Sequence, residues 1–205
     1  VGISRIAIMN TFRKKGCLLL IAIGIYFLFS GSLLSASDSL PSKVLVSEIQ
    51  LPAPKNPADI NYLGLKEGAN FKVNQVSANV VIVEIFSMYC PACQREAPEV
   101  NRLYSIIKED PFFKDKIKLI GIGTGNSEFE VGVFKKKYNV PFPLIPDENF
   151  YIHKRIGEVR TPYFLGISID KQAGTQVFYS KAGKFKGAEP FLEKIIQLSG
   201  LKKEE

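Results

Sequence analysis

Residues Val80-Val81-Ile82-Val83-Glu84-Ile85-Phe86 restrict the fold of this chain more than any other segment. A nearly unbroken apolar run, rich in β-branched side chains, has no polar face to turn to water. It predicts a central strand covered on both sides, as in sheets whose crossover helices pack on both faces. Four positions further on stands Cys90-Pro91-Ala92-Cys93, and a helix is expected from about Pro91 to Lys108, with Val100, Leu103 and Ile107 on one face. A buried strand thus delivers two thiols to the start of a helix.

The sequence holds three cysteines, and the third, Cys17, lies in an N-terminal apolar segment. That count excludes a network of structural disulfides, and equally a zinc site built from two such pairs. A lone C-x-x-C is compatible with metal binding or redox chemistry, and its position favours the second. At a helix N-terminus the unpaired N–H groups and the macrodipole favour a thiolate, which can bring a thiol from about 8.5 to about 3.5–7.5. Cys90 is therefore the sulfur expected to exchange with a partner. Cys93, one turn further in and more buried, is expected to resolve the mixed disulfide.

Glu84 is the only charge in the strand run, six residues before Cys90. Alternation along a strand puts Ile82, Glu84 and Phe86 on one face, so the carboxylate keeps apolar company. Either it reaches water at the strand end, or it is buried with a raised pKa and serves as the base that takes the Cys93 proton. Thr161-Pro162 stands directly before Tyr163-Phe164-Leu165. There a proline either opens a strand in the trans form or makes a cis turn.

The remaining pattern predicts α/β architecture with a mixed sheet. Tyr62–Leu65 and Phe71–Val73 flank Lys66–Asn70 as an expected hairpin. Strands are expected at Ile117–Ile122, Phe142–Ile145, Tyr163–Ile169 and Gln176–Ser180, the last two joined by a turn at Asp170–Gly174. Ser127-Glu128-Phe129-Glu130 is a capping box, and Lys135-Lys136-Lys137 closes that helix. A short helix at Asn149–Ile156 and a last one framed by Pro190 and Gly200 complete the series. Phe142, Phe150 and Tyr151 are expected in the core. Gly121, Gly123 and Gly125 lack the Lys-Ser/Thr that a phosphate loop requires, which removes nucleotide binding.

Residues 1–37 read as a signal peptide or a membrane anchor: Arg13, Lys14 and Lys15 precede an apolar run from Cys17 to Leu34, and Ser35-Ala36-Ser37 offers a cleavage site. The 18 residues from Cys17 to Leu34 are at the short end for spanning a bilayer, so removal and retention both stay open. Residues 38–60, with Pro41, Pro52, Pro54 and Pro57, read as a linker, and 61–205 as the folded domain. Net charge is +7, but four of the 27 basic residues fall in the N-terminal segment, leaving 23 against 20 acidic residues. So small and dispersed an excess argues against a nucleic-acid partner. In an oxidising compartment outside the cytoplasm the thiol pair would cycle against other disulfides.

Together these residues resemble the thioredoxin superfamily, and its exported TlpA/ResA-like branch in particular, over about residues 60–200. The resemblance rests on Cys90-Pro91-Ala92-Cys93, on Glu84, on Pro98 eight residues after Cys90, and on Thr161-Pro162 ahead of a strand. It implies a three-layer thioredoxin-like fold with a mixed central sheet. The 69 residues from Cys93 to Pro162 imply in addition a strand–helix insertion around Ser127–Ile145. It further implies Cys90, Cys93 and Glu84 as catalytic residues, a kink at Pro98, and a cis-proline at Pro162 facing the thiols. Tyr89, Pro91, Thr161 and Pro162 would contact the partner chain, with Tyr89 standing where the family often has Trp. The implied activity is thiol–disulfide exchange with other exported proteins, in the periplasm or an equivalent space, without a cofactor or metal. Apocytochromes awaiting haem attachment are among the implied partners, as is a membrane or exported redox partner.

Two other functions fit parts of the pattern. A thiol peroxidase would place Pro and Thr/Ser ahead of its reactive cysteine; Ser87 is present, but Val83 stands at the proline position. A copper-handling protein of this fold would use two cysteines spaced by three residues and a distant histidine. Here the spacing is two, and the single histidine, His153, is expected to be structural.

Overall fold

Every residue of the apolar run is buried, and Val80–Phe86 forms strand β3 in the middle of a five-stranded sheet. The computed structural model describes residues 49–66, 68–170 and 174–202. The expected export or anchor segment 1–37 with Cys17, residues 38–48 of the expected linker, and most of the turn between the last two strands lie outside the described residues. Among the described residues no helix is long and apolar enough to cross a membrane.

The central sheet also contains β4 (Ile117–Thr124), β5 (Leu144–Asp147), β6 (Tyr163–Asp170) and β7 (Gly174–Ala182), in the order β5-β4-β3-β6-β7. β3 runs parallel to β4 and antiparallel to β6, so the sheet is mixed, as expected. Alternation divides β3 between two cores. Val80, Ile82 and Phe86 join one cluster with helix α2 (Pro91–Glu109), helix α3 (Glu128–Lys137) and helix α5 (Ala188–Ser199). Val81, Val83 and Ile85 point the other way, into a cluster with Ile49, Leu51, Phe71 and with Ile152 of helix α4 (Tyr151–Arg155). Three layers result, and Glu84 lies on the α2 side of the middle one.

The linker expectation for 38–60 fails where the chain is described. Gln50–Pro52 is strand β1, and Pro57–Leu63 is helix α1. β1 pairs antiparallel with β2 (Asn70–Lys72), burying Ile49 and Leu51. The prolines that suggested a linker serve ordered structure: Pro57 occupies the first turn of α1, where its missing N–H has no partner to lose. Asn56 caps that helix through Ala58 N–H at 2.9 Å. The folded unit therefore begins before residue 61. The hairpin expectation is corrected in the same way, because Tyr62 and Leu63 end α1 and the strand partner of Phe71 is Leu51.

The segment expected to hold an insertion, Ser127–Ile145, forms α3 and the start of β5, which adds an edge strand beside β4. Gly121 and Gly123 explain the close fit. A Cβ at Gly121 would lie 2.3 Å from Leu144 Cδ2, and one at Gly123 would lie 2.7 Å from Val131 Cγ2. These glycines let α3 and β5 press onto β4. Phe142 is buried as expected, whereas Phe150 and Tyr151 are 44 % and 48 % exposed. A short helix on the sheet edge has only one covered side, and Ile152 takes it.

Candidate active site

Cys90 is the N-cap of α2, with Pro91 in its first helical position. Its backbone is extended (φ −82°, ψ 113°), which turns Sγ back over the helix end, where it accepts the Cys93 N–H at 3.4 Å. Cys90 is half-buried and Cys93 is fully buried, and both are free thiols. Burial raises the Cys90 pKa, but the Thr161 hydroxyl, the Cys93 thiol and the N–H groups of Cys93 and Ala92 outweigh it, leaving the thiol below its ordinary value. Cys93 moves the opposite way. Burial pushes it well above its ordinary range, and its hydrogen bond to Cys90 and the nearby Glu84 charge add to the rise. The two sulfurs are thus chemically unequal.

The Cys90 thiol donates to the Thr161 carbonyl oxygen at 3.5 Å, so the chain just before β6 lies against the helix tip. The Thr161–Pro162 peptide bond is cis, one of the two alternatives left open above, and Pro162 is buried. Pro91 and Tyr89 flank Cys90 on the solvent side, Tyr89 with 65 % of its surface exposed. Pro98 lies inside α2, where it cannot donate to the carbonyl one turn back.

Glu84 is 5 % exposed, so the water-reaching alternative is excluded. Its Oε1 is buried with no hydrogen-bond partner among the described residues. Burial, then the neighbouring Glu96 and Cys90 charges, raise its pKa to about 8. A buried carboxyl with that pKa can hold or release a proton near neutrality, on the same side of the sheet as Cys93. His153, by contrast, is engaged elsewhere, its Nε2 bonded to the Val159 carbonyl at 2.9 Å. No group of three or more metal-ligating side chains occurs among the described residues.

Several residues shape this site without having stood out in the sequence. Asn126 is fully buried, and its Oδ1 accepts the Met88 N–H at 2.8 Å. Gln94 Nε2 donates to the Met88 carbonyl at 2.7 Å, so both polar backbone groups of Met88 are held by side chains. Glu96, buried in α2, accepts the Phe185 N–H at 3.0 Å and ties the helix to the loop before α5. Only tertiary proximity identifies these residues. Asn126 follows a strand end and looks like turn chemistry.

The chain is similar to proteins already known. Thiol-disulfide oxidoreductase ResA of Halalkalibacterium halodurans is 26% identical over 86 residues, covering 42% of this chain and 46% of that protein. The match spans about half the length of the curated relatives. A secreted Mycobacterium tuberculosis disulfide oxidoreductase homologous to E. coli DsbE superposes with a TM-score of 0.53 at 18% identity, over 75% of this chain and 98% of that one. The thioredoxin domain of a thiol-disulfide oxidoreductase from Bacteroides vulgatus gives a TM-score of 0.51 at 13% identity, over 63% and 87% of the two chains. The fold is therefore thioredoxin-like. Residues 50–184, from β1 through the dithiol and Pro162 to the end of β7, match one family along their whole length, and the chain belongs to the AhpC/TSA family.

Proposed function

We propose that this protein is a thiol–disulfide oxidoreductase acting on other proteins outside the cytoplasm, with residues 1–37 serving as its export signal or anchor. The observation that carries the proposal is the inequality of the two thiols. The half-buried Cys90 has a lowered pKa beside the Thr161 carbonyl, and the buried Cys93 has a raised one on the Glu84 side.

In this reading the Cys90 thiolate attacks one sulfur of a partner disulfide. A Cys90–partner S–S bond forms as the partner's own bond breaks, and the departing sulfur leaves as a thiolate and takes up a proton. Glu84 then accepts the Cys93 proton, and the Cys93 sulfur attacks Cys90 Sγ. The Cys90–Cys93 disulfide forms, the partner's remaining sulfur is released, and two electrons have passed to the partner. Oxidation of a partner dithiol runs the same steps backwards. Tyr89 and Pro91 on one side of Cys90, and Thr161 and Pro162 on the other, would line the partner's path.

The names of the relatives support protein disulfides as substrates, and the secreted mycobacterial neighbour supports an extracytoplasmic site. Apocytochromes, which need reduced cysteine pairs before haem attachment, are the partner class suggested by the resemblance to the ResA-like branch. The test is insulin reduction with dithiothreitol as electron source. Catalysis by the wild type that disappears in Cys90→Ser supports the proposal, and a wild type no faster than dithiothreitol alone overturns it. Peroxide consumption by the wild type in the same preparation would favour the peroxidase alternative instead. Val83 at the expected proline position argues against it.

A further inference from the structure

Tyr89 is the largest exposed side chain beside the reactive sulfur, yet its one polar atom is not offered to a partner. Its hydroxyl donates to Glu130 Oε1 in the first turn of α3. The other oxygen of that carboxylate, Oε2, accepts the Ser127 N–H at 2.7 Å and the Ser127 hydroxyl at 2.8 Å, completing the capping box. Glu130 is therefore fixed by its own helix and has a free oxygen only for Tyr89. One residue earlier, Asn126 and Gln94 hold both backbone polar groups of Met88. The approach to Cys90 is fastened at two successive residues.

An exposed ring fixed in this way loses little rotamer freedom when something packs on it, so its apolar face is prepared for contact. Phe129 and Val133, one turn apart on α3, are 78 % and 37 % exposed, so the helix that holds Glu130 also presents apolar side chains to solvent. A disulfide partner must bring its sulfur to Cys90 Sγ. Tyr89 adjoins Cys90 in the chain and stands exposed, within reach of a residue that flanks the partner's cysteine.

We propose that Tyr89, locked in place by Glu130, is a specificity wall selecting protein substrates whose reactive cysteine is flanked by a large apolar side chain. Tyr89 makes the contact, and Glu130 is a positioning residue acting through it. The proposal rests on the thiol–disulfide reading above and adds the class of partner sequence to it.

The test uses two disulfide-linked peptides that differ only beside the cysteine, one with Phe and one with Ser, and compares kcat/KM for each. The wild type is expected to favour the Phe peptide about three- to tenfold, the worth of one aromatic contact. Tyr89→Ala is expected to abolish that ratio. Tyr89→Phe keeps the ring and leaves the capping box untouched, so a ratio that drops with the change in KM isolates the lock from helix stability. Glu130→Gln, which preserves capping-box chemistry, is expected to lower the ratio in the same way. A wild type that turns over both peptides equally, or a Tyr89→Ala variant that keeps the preference, overturns the inference and leaves the oxidoreductase reading intact. A wild type that reduces neither peptide nor insulin overturns both.

Discussion

Cys90 and Thr161, 71 positions apart in the chain, meet with the sulfur 3.5 Å from the carbonyl oxygen. The contact joins two segments that the sheet order sets side by side. β3 ends at Phe86 just before the dithiol, and β6, its antiparallel neighbour, begins at Tyr163 just after Pro162. The antiparallel pairing of Glu84 with Phe164 and of Ile85 with Tyr163 brings the start of one strand to the end of the other. Parallel pairing would have carried Thr161 to the far edge of the sheet.

The unequal thiols give a direct chemical readout. Brief iodoacetamide treatment of the reduced protein at pH 7 should alkylate Cys90 and spare Cys93, because only thiolates react. The lowered Cys90 pKa and the raised Cys93 pKa both push toward selectivity, and a ratio of about tenfold or more is expected. Mass spectrometry of the digested protein measures it. Equal labelling would remove the basis for assigning different roles.

Trapping separates those roles. Cys93→Ser leaves Cys90 able to attack but removes the sulfur that resolves the mixed disulfide, so covalent adducts should accumulate on Cys90. Cys90→Ser leaves, of the pair, only the fully buried Cys93, and adducts at the dithiol should be absent. Non-reducing gels of extracts from cells making each variant show the difference. Comparable adducts in both variants would refute the division of labour.

Much of this site was legible in the sequence for identifiable physical reasons. β3 could be read because a strand covered on both faces tolerates almost no polar residue, and Glu84 stood out as the exception. Cys90 and Cys93 were legible through local spacing, and Pro162 only through the resemblance to the thioredoxin superfamily. The region before residue 61 was misread because prolines signal loops on average, whereas Pro57 at a helix start and Pro52 at the end of a three-residue strand are both permitted. Phe150 and Tyr151 were misplaced because aromatic character does not say how many sides of an element are covered. Asn126, Gln94 and Glu130 act through partners 38, 6 and 41 positions away. No short-range pattern encodes the two longer links.

Asn126 offers a test of that concealed layer. Its Oδ1 satisfies the Met88 N–H in a part-buried position next to the dithiol. Asn126→Ala leaves that donor without its partner, which should destabilise the protein by about 1–3 kcal/mol. The same change frees the Met88–Cys90 segment, so insulin reduction should slow as well. Urea unfolding and the insulin assay measure the two effects. A stable variant with undiminished turnover would show that the tether is dispensable.

Glu84 links catalysis and stability to pH in opposite senses. Its folded pKa of about 8 lies above the ordinary 4.5, mainly through burial. As base for Cys93 it must be ionised, so the resolving step should accelerate as pH rises through about 8, and Glu84→Gln should lose that inflection. Stability runs the other way. Between 4.5 and about 8 the folded protein keeps a proton that the unfolded chain has released, so the unfolded state binds fewer protons and stability falls as pH rises. Below 4.5 both states are protonated and the contribution is complete; above about 8 it is gone. The full span corresponds to at most about 5 kcal/mol at 1.36 kcal/mol per pKa unit. Glu84→Gln stays neutral throughout, so its unfolding free energy should gain on the wild type from pH 5 to pH 9. Subtracting the two curves removes the contribution of every other titrating group. Parallel denaturation curves for the two proteins across that range would mean that Glu84 is charged in the fold at pH 5, and the proton-acceptor role would fall with its raised pKa.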